Sequence, residues 1–180
     1  MTNTIITFLM SFIFLFGCNS NREPNYIDMS NEIVDNYLID MKSYHGLRCF
    51  GRGGGFMEKV NVISISFTLQ GQRNQMELRE IIVSITEDLL KRYNNNQEIR
   101  PYLKNYPFTA ENLRIAIYLV DDKGAHIHNK GSLRDLFSGV FQSYGEVSYA
   151  VENDLKPYPQ DVFEETYEEA LMIVKNKKSS

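Results

Sequence analysis

The segment Gly51-Arg52-Gly53-Gly54-Gly55 is where residue type and spacing first suggest ligand chemistry. Glycine amides can curl around an anion, and two nearby arginines would add charge, so Arg48, Arg52, Gly53, Gly54 and Gly55 form a possible ligand loop. The order of elements opposes this. A phosphate cradle runs strand, glycine loop, helix, whereas here a helix is expected before the glycines and a strand after them, with no Lys-Ser or Lys-Thr pair following. A flexible connector is the competing reading.

His126-Ile127-His128 would place two imidazoles on one face of a strand, a spacing that metal sites use. A third ligand would come from His45, Cys49, Asp121 or Asp122, and two exposed histidines beside a turn are the commoner outcome. His126 and His128 therefore stand as candidates, and no metal is assigned. His45 precedes Cys49 by four residues, close enough on a helix for a base to serve a thiol. Against this, Cys49 reads more readily as a small, partly buried apolar residue at a helix end. Glu164, Glu165, Glu168 and Glu169 fall opposite Phe163, Tyr167 and Leu171 and read as a solvated helix face, not an acid-base pair. No serine nucleophile elbow, HExxH or CxxC pattern is present. The sequence assigns no catalytic residue and no cofactor.

The distribution of apolar residues carries a different message. Ile5 to Phe16 is almost entirely apolar, and every Lys, Arg, Asp and Glu lies at Arg22 or beyond. An apolar core of about a dozen residues suits a secretory signal and falls short of the ~20 that a spanning helix needs. It ends in Leu15-Phe16-Gly17-Cys18, followed by a polar run from Asn19 to Asn25. Here the chain resembles bacterial lipoprotein precursors, whose lipobox has Leu three residues before the cysteine and a small residue just before it. Leu15, Gly17 and Cys18 match. The resemblance implies cleavage between Gly17 and Cys18, a diacylglycerol thioether on Cys18, often an acylated new amino terminus, and an extracytoplasmic protein anchored in a bacterial envelope membrane. Each buried methylene contributes about 0.8 kcal/mol, so two or three chains hold firmly. A conventionally cleaved secreted protein and an uncleaved apolar end are the other readings of this segment. With Cys18 on lipid, Cys49 has no intramolecular disulfide partner, and stability must come from the core.

The expected organisation is a signal peptide at 1–17, a polar tether at 18–26, one domain at 27–175 and a basic tail at 176–180. Ile33, Val34, Tyr37, Leu38, Met41 and Tyr44 describe one helical stripe, stopped near Gly46. Ile63, Ile65, Phe67 and Leu69 alternate with Ser64, Ser66 and Thr68, a strand with one buried and one polar face. Leu78, Ile81, Ile82, Ile85, Leu89 and Tyr93 restore the helical period. Residues 97–110 carry Pro101 and Pro107 and are expected to connect elements at the surface, packed back over the sheet edge.

Leu113, Ile115, Ile117 and Leu119 define a second strand, and Asp121-Asp122-Lys123-Gly124 a turn, after which Ala125 to His128 can pair back. Residues 132–145 have helical spacing, with Gly139 leaving an extended path open. Glu146 to Val151 is expected as the last strand. A final helix follows Pro159 and buries Phe163, Tyr167, Ala170, Leu171 and Val174. All five prolines fall outside these helices and strands. The fold class expected is α+β: a small, largely antiparallel sheet of three to four strands covered by helices on one face. The Ser64, Ser66 and Thr68 face would stay open to solvent or a partner.

A chain of 180 residues fits one domain, and a net charge of -4 without clustered Lys and Arg excludes a nucleic-acid footprint. Eleven tyrosines supply apolar rings with polar tips, which suit either the shell of a modest core or an interface.

Three functions follow as expectations. The first is a non-enzymatic, lipid-anchored envelope protein whose domain binds a protein partner or serves a structural role. The second is an extracytoplasmic small-ligand binding or sensory module: the strand, the Asp121 to Gly124 turn and the strand Gly145-Glu146-Val147-Ser148-Tyr149 are loosely similar to sensory domains of the PAS or Cache kind. The third is a metal-dependent envelope enzyme using His126 and His128. Ile99 to Thr109 and Glu164 to Ala170 also resemble small bacterial lipoproteins without an established role, which implies no activity.

Overall fold

The computed structural model describes residues 25–127, 137–153 and 156–179. Each helix begins where a polar side chain can take up an orphan amide. In α1 (Tyr26–His45) the Asn25 side chain accepts from the Ile27 N–H. The helix stops at Gly46, whose φ of 68° lets its N–H and that of Leu47 return to the carbonyls of Lys42 and Met41. In α2 (Gln75–Asn95), Asn74 and Glu77 cap each other's amides reciprocally, and Thr166 and Glu169 do the same for α3 (Tyr167–Lys178).

Six strands form one mixed sheet in sequential order: β1 (Arg48–Gly55), β2 (Val62–Gln70), β3 (Leu113–Val120), β4 (Gly139–Ser143), β5 (Glu146–Asn153) and β6 (Lys156–Thr166). Only β2 and β3 run parallel, because α2 carries the chain back between them; the other neighbours are antiparallel. Strands β4 and β5 join through Tyr144-Gly145, with φ values of 54° and 81°. Two left-handed residues give a turn whose twist matches the strands it joins.

All three helices lie on one face. Ile63, Ile65, Phe67 and Leu69 of β2, Leu113, Ile115, Ile117 and Leu119 of β3, Val140 of β4 and Val147 and Tyr149 of β5 meet Tyr37 of α1, Leu78, Ile82, Ile85 and Leu89 of α2 and Ala170 and Val174 of α3 in one core. The Tyr37 hydroxyl donates to the Ile85 carbonyl, tying α1 to α2, and the Tyr167 hydroxyl donates to Glu87, tying α3 to α2.

The α+β class stands, but the sheet of three to four strands expected from the sequence is corrected to six with a parallel pair. Three strands, β1, β4 and β6, account for the difference. The glycine segment is not a connector but edge strand β1, and the chain from Lys156 to Thr166 is edge strand β6 rather than a loop leading into a helix. Pro157 and Pro159 thus lie inside a strand, tolerated because an edge strand need not donate along its outer side. Of the two paths left open for 132–145, the described end takes the extended one, with Gly139–Ser143 as β4; its first residues fall outside the described ones.

Residues 97–110 do pack inward, as expected, with two short 3-10 turns and with Ile99, Leu103 and Phe108 buried. At the ends, α1 takes in Tyr26 from the expected tether, and α3 runs through the expected basic tail to Lys178. Lys177 there pairs with Glu80 at 2.5 Å. Residues 1–24, and with them the leader, Gly17 and Cys18, lie outside the described residues. Among those described, no helix is long and apolar enough to cross a membrane.

Candidate functional site

No described helix lies on the sheet face opposite α1, α2 and α3, although Gly139 and Ala150 at one end of it are buried. Pairing puts Gly51, Ser66, Ala116, Phe141 and Ser148 in one row across it, and Gly53, Ser64, Arg114 and Ser143 in the next. Ser64, Ser66, Thr68 and Ala116 are half-buried in this floor of small side chains. One end carries a connected aromatic cluster: Tyr118 makes edge-on contacts with Phe50 at 5.6 Å, Phe141 at 5.2 Å and His126 at 5.6 Å between ring centroids. Phe50 is 61% exposed. Arg114 stacks over the Tyr144 ring at 4.4 Å and donates to its hydroxyl, with Tyr144 itself exposed. Aromatic rings and arginine are the side chains enriched where proteins meet.

The periodicity of β2 made the open face legible from Ser64, Ser66 and Thr68. Its aromatic cluster was not legible, because Phe50 sits in the glycine segment and Phe141 in a stretch with helical spacing. The β-bulge between Cys49 and Gly51 is what turns Phe50 toward Tyr118.

The expected site residues separate. Arg52 leaves the glycines and pairs with Asp35 of α1. Gly53, Gly54 and Gly55 pair with Ser64, Ile63 and Val62 in the ladder. Arg48 instead lines a cleft of about 510 Å³ at the carboxyl ends of β2 and β3, together with Lys42, His45, Arg73 and Lys123. His126 bridges to Val120 and is exposed, and His128 lies outside the described residues. No group of three potential metal ligands occurs among the described residues.

Cys49 is on β1, not at a helix end; its thiol is exposed and donates to the Gly51 carbonyl at 3.4 Å. It shares a hollow with Asp35, Leu38 and Ile39 of α1, while His45 lines the adjoining cleft.

The largest departure concerns Glu165, expected on a solvated helix face. It is buried in β6 at 8% exposure and accepts from Arg79 Nε at 2.7 Å, Arg79 Nη2 at 3.0 Å and the Tyr149 hydroxyl at 2.5 Å. Burial, and then the hydrogen bond to Glu165, push the Tyr149 hydroxyl far above its ordinary value and keep its proton. Arg79 is pulled down by burial and held above its ordinary value by Glu165. Every polar atom named here has a partner inside the fold, so the cluster clamps α2 to β5 and β6 and offers no group to a substrate.

No family model matches the chain, and no curated protein or solved structure matches it significantly.

Proposed function

We propose that this chain is a lipid-anchored protein of the bacterial envelope that acts by recognition: Cys18 holds it to the membrane, and the sheet face that carries no described helix binds a second, different protein. The observation that carries the reading is the one-sided sheet. Six strands bury their apolar side chains under three helices and leave a floor of Ser64, Ser66, Thr68, Gly51 and Gly53 flanked by Phe50, Tyr118, Phe141 and the Arg114-Tyr144 stack. A flat floor of small hydroxyl and glycine positions admits close approach, and rings at its margins provide anchors for apolar side chains of the partner. The partner suited to this face therefore presents protruding aliphatic or aromatic side chains. A tethered domain also meets other membrane-bound proteins at raised effective concentration, which supports recognition at modest affinity.

The test places a photo-crosslinking residue at Ser66 and, as a control, at Glu87 on the helical side, in full-length protein in its native membranes. One discrete heterologous product from Ser66 and none from Glu87 is the expected result. Equal products from both positions, or only a dimer of this chain, would overturn the reading.

A further inference from the structure

Five nitrogen-bearing side chains converge on the cleft at the carboxyl ends of the parallel pair β2 and β3. Lys42 and His45 come from the last turn of α1, Arg48 from the start of β1, Arg73 from the approach to α2 and Lys123 from the turn after β3. Four formal positive charges thus face two carboxylates, Asp121 and Asp122, in a chain whose net charge is -4.

Asp121 is committed to the wall of the cleft, accepting from the amides of Lys123 at 2.9 Å and Ala125 at 2.8 Å. The end of α1 is likewise closed, since the Lys42 and Met41 carbonyls already accept from Gly46 and Leu47. The cations are not so engaged. Among the described residues Lys42, His45, Arg48 and Lys123 have no side-chain hydrogen bond or ion pair, and Arg73 uses Nη1 on the neighbouring Gln72 carbonyl, leaving the rest of its fork free. Arg52, Arg79, Arg92 and Lys177 each have a carboxylate partner. Unpaired cations gathered in one concavity repel each other, and that repulsion is relieved when an anion enters.

We propose that this cleft binds a phosphate monoester of a small, hydroxyl-bearing molecule. A phosphate near neutral pH carries almost two negative charges on three terminal oxygens, which suits cations arriving from several directions; one arginine fork would already satisfy a planar carboxylate. The volume of about 510 Å³ far exceeds a bare phosphate and falls within the range of small-molecule sites. Thr68, Gln70 and Asp122 supply polar groups for the body of the ester. The location also fits, because crevices beyond the carboxyl ends of parallel strands are where open sheets with helices commonly hold ligands. The same headgroup chemistry occurs in a free phosphate ester and in a phosphomonoester lipid. The cleft borders the open face at Thr68, and the proposal stands whether or not the rest of that face takes a partner.

Isothermal titration of the full chain in uncharged detergent with inorganic phosphate, and then with glycerol phosphate, tests the proposal. One saturable site is expected, tighter for the ester. Arg48→Ala and Arg73→Ala should each weaken it by about tenfold or more, the usual consequence of losing a charge-assisted hydrogen bond. Lys123→Gln, a substitution in an exposed turn, should also weaken it, while Lys177→Ala leaves it unchanged. Phosphatidic acid added to the micelles displaces phosphate if the lipid is the source and leaves it bound if the source is a free ester. Absence of saturable binding, or equal affinity in wild type, Arg48→Ala and Arg73→Ala, would overturn the proposal.

Discussion

At the scale of single residues, the Arg79-Glu165-Tyr149 cluster separates what holds the fold from what is available to bind. An ion pair at this depth contributes little net stability when intact, since desolvation offsets attraction, but removing one member strands the other. Glu165→Ala should therefore destabilise the protein by about 3–5 kcal/mol in chemical denaturation, leaving the buried Arg79 guanidinium without its carboxylate. The double substitution Arg79→Met, Glu165→Leu should cost less than the single one. An equal or larger loss in the double variant would show that the pair does more than satisfy itself.

Glu165 was misplaced from sequence because four glutamates and the apolar spacing from Phe163 onward fit a helix. The contrary signal was present in Thr166-x-x-Glu169, a capping box that starts the helix at Tyr167 and releases Phe163 and Glu165 to a strand.

At the scale of elements, the glycine segment shows how the same residues read differently once paired. Four glycines in five positions look like a flexible loop, because a strand is recognised by its side chains and these have none. As strand β1 they have unequal roles. A Cβ at Gly54 would come within 2.5 Å of the Val62 carbonyl oxygen and 2.6 Å of the Phe56 ring, whereas at Gly53 nothing lies within 4 Å and φ is not positive. Gly54→Ala should cost about 1–3 kcal/mol through this crowding. Gly53→Ala should be neutral or stabilise by up to about 1 kcal/mol, through loss of freedom in the unfolded chain. Matched denaturation midpoints for the two variants would contradict the pairing of β1 with β2. The helices, by contrast, were legible: α1 and α2 have long apolar stripes and polar caps that do not depend on tertiary partners. Strand β4 was not, since Val140 and Phe141 together with Tyr144 mimic helical spacing and only the Tyr144-Gly145 turn reveals a hairpin.

At the scale of the whole molecule, two asymmetries organise the chain. One lies across the sheet, with helices on one side and small and aromatic side chains on the other; the polar alternation of β2 announced it, though not its six-strand extent. The other runs along the sequence, with an uncharged, largely apolar stretch before residues that hold all the charge. The proposed lipid at the amino end and the proposed partner face together suit a protein that waits at a membrane for a partner, to which the proposed phosphate cleft would add a second, chemically distinct contact. The cleft escaped the sequence because its cations come from separated segments, and only Arg48 among them was read there as a ligand for an anion.

Intact-mass measurement of the protein extracted from its membranes bears most directly on the claim that Cys18 anchors a recognition domain. The account predicts a wild-type chain that begins at Cys18 and carries acyl chains, and a Cys18→Ser chain that carries none; a wild-type chain without acyl groups would contradict it.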